Sequence, residues 1–367
     1  MTSTTRTFTP LKIGSIEVSS RIAMAPLTRY RASAEHIHQD LGKTYYAQRA
    51  SPVPGTLLIT EGTIISARAG NQHNVPGIYT QEQIDAWKVI VDEVHKAGSH
   101  IYLQLWALGR AAEPEVLTRE TGLSLKSSSA VPMEPGGDIP EELSEEEILG
   151  LIADFGRAAS AAVHQAGFDG GYLIDQFTQD TCNQRSDKWG GSIENRSRFA
   201  LAVARTVVDA VGKEKVGLRL SPWSSFQGMK MDDPVSQFSH LITELRAFEL
   251  SYLHLVESRI AGSTDCEDES ADANKFAIDI WGNTSPILLA GGFKPDSARK
   301  TVDEVYKDRD VVIMFGRYFI SNPDLVYRIK SGIELTNYDR SSFYLTEDPH
   351  GYTDYAYCTE YNGQIKI

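Results

Sequence analysis

Cysteine is scarce in this chain. Only three occur in 367 residues, Cys182, Cys266 and Cys358, too few and too scattered for a disulfide framework or a cysteine zinc site. Long apolar runs are missing as well: none approaches the ~20 residues a membrane helix needs. The opening stretch MTSTTRTFTPLKIG has no apolar core of the signal-peptide kind. Positive charge is in the minority, with 36 Lys and Arg against 49 Asp and Glu, a formal net charge of −13. That balance argues against nucleic acid and anionic membranes as partners, because phosphates reward basic surfaces. No Ser/Gly tract or charge block separates two cores. No Gly-x-Ser-x-Gly elbow, P-loop or dinucleotide-binding glycine fingerprint is present. With 41% hydrophobic and 23% charged residues, the chain has the proportions of a globular protein. The expectation is a soluble, cytoplasmic enzyme.

Short apolar runs alternate with longer helical patterns, the mark of βα units and a parallel sheet. The runs are Ile22–Pro26, Thr56–Glu61, His100–Trp106, Val216–Ser221, Tyr252–Val256, Pro286–Ala290 and Val311–Phe315. Most are continuous, as in strands covered on both faces. Thr80 with Gln83, and Ser144 with Glu147, have capping-box spacing. Phe199, Val203, Val207 and Val211 recur every four residues, and Val235 to Phe248 carries a similar stripe. Asn322-Pro323 reads as an N-cap followed by proline at the first helical position.

A closed β/α barrel needs eight strands, and the runs supply seven. The gap lies between a helix ending near Gly167 and one starting near Ser192. Only Phe168–Asp175 can fill it, with Tyr172 to Ile174 as a stunted strand beside two glycines. The fold expected for residues 1–367 is therefore an α/β (β/α)8 TIM barrel whose fourth strand is truncated or defective. An open doubly wound sheet is the alternative. Residues 107–143, rich in Ser, Pro and Gly, form an insertion over the barrel mouth.

In such barrels the active site lies at the C-terminal strand ends, and phosphate often binds after strands seven and eight. Ala290-Gly291-Gly292 and Phe315-Gly316-Arg317 stand there. Glycines let backbone N–H groups approach an anion, and Arg317 adds a fixed fork of donors. Other strand ends carry Thr28 and Arg29, Gly62, Gln104 and Trp106, and Arg219. Singly, Gln104 reads as a bonded core amide and Arg219 as a structural ion pair. Together they read as a ring of donors around one planar, polar ligand. His254 has no second ligand at metal spacing, so it reads as structural and no metal is expected. His95 and His164 read as surface or packing residues on helices, and Cys182 as an ordinary thiol.

The motifs MAPLTRYRA at 24–32, YYAQRAS at 45–51, GTLLITEG at 55–62, QLWALGRAA at 104–112, WGGSIENRSRF at 189–199, ILLAGG at 287–292 and FGRYFISNPDL at 315–325 resemble those of the Old Yellow Enzyme family. These are FMN-dependent NADPH dehydrogenases or ene-reductases. The chain is most similar to the fungal branch that includes the chanoclavine-I aldehyde reductases of secondary metabolism. The resemblance implies FMN and NADPH as cofactors and a small enone or enal as substrate, in a monomer or homodimer. It implies that Thr28, Gly62 and Gln104 contact the isoalloxazine ring and that Arg219 stabilises negative charge at its N1–C2=O edge. Gly291, Gly292, Gly316 and Arg317 would hold the phosphate. Trp106 and Tyr344 would line the substrate side, and Tyr172 would be the proton donor.

One departure stands out. In the family, a strand carrying a His/Asn or His/His pair separates GFDG from GYL. Here Gly170 runs directly into Gly171-Tyr172, so the pair that binds the substrate carbonyl is missing, through either a misread splice boundary or a real loss. This keeps other readings open: an FMN-binding barrel with impaired or no turnover, or a non-reducing isomerase. A phosphate-binding lyase or aldolase is disfavoured, since no lysine lies within the clear strands to form a Schiff base.

Overall fold

The computed structural model describes residues 5–162, 166–168, 172–261, 264–265 and 273–361. Gly170, Gly171, His164 and Cys266 lie outside these residues. Eight parallel strands close into a barrel. In chain order they are Ile22–Met24, Leu57–Ile64, His100–Trp106, Ala166–Phe168, Val216–Leu220, Tyr252–Val256, Ile287–Ala290 and Val311–Phe315. Helices follow most of them, among them Gln81–Lys96, Glu145–Ala161, Ile193–Val211 and Pro234–Leu245. Both expected capping boxes form, at Thr80 and at Ser144. Among the described residues no helix is long and apolar enough to cross a membrane.

Three sequence expectations need correction. The helix expected to run to Gly167 ends at Ala161, and the fourth strand occupies Ala166–Phe168. That strand pairs with Leu103–Leu105 on one side and Val216–Leu218 on the other. It is three residues long, as is the first, so a truncated fourth strand is not confirmed. Tyr172 to Ile174 is no strand: Tyr172 caps the helix Leu173–Thr178. Likewise, Asn322 does not open a helix. It closes Arg317–Ser321, and the next helix begins at Leu325 behind Asp324.

Side-chain parity sorts the strands into two cores. Ile101, Leu103, Leu105, Leu253, Leu255, Ile287, Leu289, Val311 and Ile313 pack outward against the helices. Ala23, Leu57, Ile59, Tyr102, Tyr252, Leu288, Val312 and Met314 fill the interior, plugged by Leu11, Ile13 and Val18 of an N-terminal hairpin. The rings of Tyr102 and Tyr252 meet edge to face at 5.2 Å. Gly217 lies beside Tyr252 in register, and a Cβ there would stand 2.1 Å from its ring. The two tyrosines thus fit only because the fifth strand carries glycine at that level.

The second strand contains a bulge. Ile59 pairs with Tyr102, but Gly62, three residues on, pairs with Gln104, only two residues on. The extra residue breaks the alternation and turns Glu61 away from the barrel axis. Its carboxylate accepts the Arg29 backbone N–H at 3.2 Å and the Tyr46 hydroxyl at 3.5 Å, with His38 Nε2 also 3.5 Å away. Full burial pushes Glu61 up to about 7, against the backbone N–H and charge of Arg29. Burial holds His38 down at about 3.

Two predictions follow from these packing facts. Gly217→Ala should lower stability by about 3 kcal/mol, at the upper end of overpacking costs. Adding Tyr252→Leu should recover part of the loss in the denaturation midpoint; equal loss with and without the second change would refute the clash. For Glu61, the folded-state value lies above the unfolded one, so its contribution is complete below the unfolded pKa and is lost as pH rises through about 7. The size is about 3 kcal/mol. Glu61→Gln should therefore flatten the fall in melting temperature between pH 5 and pH 8, roughly the window of that titration. An unchanged slope would refute this.

Candidate functional site

The parity that fills the barrel also carries polar groups to its mouth. Tyr102, Gln104 and Trp106 share one face of the third strand; Gly217, Arg219 and Ser221 share one face of the fifth. The deep members of each series are core. The shallow ones open into a cavity of about 760 Å³ at the C-terminal strand ends.

Every sequence-predicted site residue except one lines this cavity: Thr28, Gln104, Trp106, Tyr172, Arg219, Gly291, Gly292, Gly316, Arg317 and Tyr344. The exception is Gly62. It pairs in register with Gln104, and a Cβ there would come within 2.7 Å of the Trp106 ring. Its part is to let Trp106 sit flush. Trp106 in turn meets the Tyr172 ring edge to face at 4.8 Å, which fixes the tyrosine at the start of its short helix.

One end of the cavity suits an anion. Gly291 and Gly292 have φ of +138° and +61°, and a Cβ at 291 would stand 2.6 Å from that of Glu257. Lys294 and Arg317 line the same end. Toward the centre, Ala25, Val256, Ala290 and Met314 form an apolar floor, with Gln104 and Arg219 beside it. His254, the register partner of Arg219, is held well below the usual imidazole range by burial and by the Arg219 charge. It stays neutral, so the cavity's positive charge rests on fixed cations. A planar ligand with a polar edge and an anionic tail, as FMN is, fits this distribution.

Sequence reading missed part of the wall. Tyr30, Gln72, Phe226, Gln227, Lys294 and Tyr338 also line the cavity. Tyr30 is held at φ +54°. It stacks on His73 at 4.6 Å and donates to Gln72 Oε1 at 3.2 Å; burial, aided by the Glu113 charge, pushes its hydroxyl up to about 12. Its neighbours Arg29 and Arg31 are buried and tied to the C-terminal segment. Arg29 donates to Phe343 O and Gly351 O, and Arg31 to Phe343 O, Ser342 O, Asp348 O and His350 O. This tie sets Phe343 and Tyr344 at the rim. Lys294, two residues after the double glycine, was the one missed group with a sequence signal.

Comparison with known proteins agrees with this geometry. Residues 6–336 match the model of the NADH:flavin oxidoreductase / NADH oxidase family. The chain is 53% identical to the chanoclavine-I aldehyde reductase fgaOx3 of Penicillium roqueforti (strain FM164), over 99% of both chains. It is 50% identical to a protein of Epichloe festucae var. lolii named probable inactive reductase easA, over 98% of this chain and 97% of that one. Among solved structures, Old Yellow Enzyme from Pichia sp. AKU4542 superposes with a TM-score of 0.88 at 37% identity, covering 97% of this chain and 95% of the other. The alternative of an open doubly wound sheet is set aside by the closed barrel and by this likeness. With a glycine-and-cation cradle, a polar-edged floor and these relatives in agreement, the chain belongs to the NADH:flavin oxidoreductase / NADH oxidase family and is an Old Yellow Enzyme-like flavin oxidoreductase.

Proposed function

We propose that this protein uses NADPH to reduce the carbon–carbon double bond of an α,β-unsaturated aldehyde or ketone, with FMN as resident cofactor. The observation that carries the reading is the cavity itself. Its anion-suited end, Gly291, Gly292, Lys294 and Arg317, and its polar floor, Gln104 and Arg219, belong to one continuous space. When bound, the flavin supplies hydride chemistry that no side chain can provide.

The protein's own part is binding, orientation and proton supply. Gly291, Gly292, Gly316 and Arg317 hold the phosphate, the glycines by backbone approach and Arg317 by its fork of donors. Thr28 and Gln104 address the ring edge, and Arg219 holds negative charge that develops there. Trp106, Tyr344 and Tyr30 wall the substrate side. Tyr172 Oη holds the proton for the α-carbon and is refilled from solvent. The double bond thus gains one hydride equivalent, originating in NADPH, and one proton, and NADP⁺ leaves. The relatives named as aldehyde reductases support an aldehyde-bearing substrate.

Arg317→Ala should weaken FMN binding roughly 10- to 100-fold, the worth of a charge-assisted hydrogen bond. Arg219→Ala should slow anaerobic bleaching by NADPH more than it lowers the melting temperature. Flavin fluorescence titration and stopped-flow absorbance measure the two. If FMN affinity and bleaching survive both changes, the cofactor assignment is wrong.

A second reading has its own support: a flavin-binding barrel with little turnover. Phe168-Asp-Gly-Gly-Tyr172 contains no His or Asn, and a relative at 50% identity is named probably inactive. Loss of one transition-state donor costs roughly 10²–10³ in rate. Inserting Val-Glu-Ile-His-Gly-Ala-Asn between Gly170 and Gly171 should raise cyclohexenone turnover by at least that factor at equal FMN occupancy. Equal rates would mean that this protein polarises its substrate by another group.

A further inference from the structure

We propose that Arg110 is a positioning residue for the substrate. It locks the insertion and the loop after the fifth strand into one wall, which fixes where Phe226 and Gln227 meet the substrate. The inference rests on the reductase reading above for the word substrate, but the lock itself does not.

Arg110 lies in the turn Gly109–Ala111, just past Trp106 on the third strand. Its backbone is anchored: the N–H donates to Gln176 Oε1 at 3.1 Å, and Gln176 Nε2 donates back to Leu108 O at 2.9 Å. The side chain is 3% exposed. Nη1 donates to Val131 O at 3.2 Å and Pro132 O at 3.1 Å, both in the insertion. Nη2 donates to Gln227 O at 2.9 Å and Gly228 O at 3.4 Å, both in the loop, and lies 3.5 Å from Met229 Sδ. Among the described residues, its side-chain partners are carbonyl oxygens and one thioether, with no carboxylate among them.

A buried guanidinium without a counter-ion is expensive unless its donors are used. Here the four Nη N–H groups are used and every oxygen acceptor is backbone, while Nε is buried without a hydrogen-bond partner. Each pair of carbonyls belongs to a segment distant from the other in sequence. The planar fork spans both; a lysine, with one compact donor centre, could not.

The loop is not held by its own preferences. Gln227 and Lys230 have φ of +59° and +74°, a conformation that ordinary side chains avoid. Gly228 has φ of +68°, and a Cβ there would stand 2.5 Å from Met133 O of the insertion. At the far end, Gln179 Oε1 accepts the N–H groups of both Lys230 and Met231 at 2.9 Å. Between these anchors Phe226, 43% exposed, and Gln227 line the cavity. The place of the Phe226 ring is therefore set from outside the loop, by Arg110.

The test is a double-mutant cycle with FMN-loaded protein and cinnamaldehyde. Arg110→Met should lower kcat/KM roughly 10- to 100-fold, the range for displaced positioning groups, while the FMN dissociation constant stays unchanged. Arg110→Lys should fall between. Phe226→Ala should give a loss of similar size, and the double variant should be no worse than the worse single one, since both act through one wall. Hydrogen–deuterium exchange, which needs no turnover, should rise together in residues 129–133 and 224–231 of Arg110→Met. If that variant does not fold, the cycle and the exchange measurement are run with Arg110→Lys. Multiplicative losses, full activity of Arg110→Lys, or exchange that rises in one segment only would each overturn the proposal. Failure of the wild type to bind FMN or to be bleached by NADPH would instead sink the reductase reading, and the exchange measurement would still decide the lock.

Discussion

Three arginines with no exposed surface to speak of decide where the cavity's upper wall stands. Arg29, Arg31 and Arg49 are each at most 1% exposed. Their donors go almost wholly to backbone carbonyls: of residues 342–351 for the first two, and of Phe319, Ile320 and Tyr352 for Arg49. Aromatic faces complete the shell. Tyr45 and Tyr352 stack at 4.0 Å, and the Arg49 guanidinium lies 3.5 Å from the Tyr45 centroid. Burial pulls Arg31 down to about 10, with Arg29 adding to the effect, yet it remains charged at neutral pH. Removing water from three cations is costly, so the carbonyls of the C-terminal segment must stay where they are. The end of the first strand and residues 342–351 thus become one body. Tyr30, between two of these arginines, has little choice but the strained backbone that sends its ring into the cavity.

A second constraint acts from below. The barrel interior admits Tyr102 and Tyr252 only opposite Gly217, and the same alternation then delivers Gln104, Arg219 and His254 one level higher. Polar side chains at that level would be unfavourable in a sealed core. They are tolerable because the level opens into the cavity, and because the bulge at Thr60–Glu61 removes a buried carboxylate from the barrel axis. Without the bulge, Glu61 would compete for the cations that an anionic ligand needs. Core packing and site electrostatics are therefore one arrangement, set by strand parity and a single irregularity.

Much of this was legible in the sequence. His100–Trp106, Tyr252–Val256 and Val311–Phe315 were readable end to end, because their runs are apolar and bounded by polar or turn residues. The strand-end groups followed from the barrel rule. The fourth strand was not readable: Ala166-Gly167-Phe168 has one large apolar residue, and its pairing is imposed by Leu103–Leu105 and Val216–Leu218 on either side. Asn322 misled for a similar reason. Its side chain has the groups of an N-cap, but it spends them on Tyr318 O, Thr336 O and the Thr336 N–H. Gly62 was identified from the motif as a contact of the ligand, and the structure adds a steric reason for glycine there, since a Cβ would meet the Trp106 ring. Tyr30, Phe226 and Gln227 stand on irregular backbone held by distant arginines, and no local pattern announces that.

Composition and site pull in opposite directions. A net charge of −13 disfavours anionic polymers as partners. The cavity inverts that sign with Arg219, Lys294 and Arg317, while His254, the register partner of Arg219, is kept neutral by burial and by Arg219 itself. Two carboxyl groups are shifted the same way by burial: Glu61 is pushed up to about 7, and Glu257 is raised as well. A small anion therefore meets a local positive field in a chain of negative net charge. Such a field favours a bound phosphate. Fixed cations, a neutral His254 and a glycine-lined approach are what an acidic chain needs to retain an anionic cofactor.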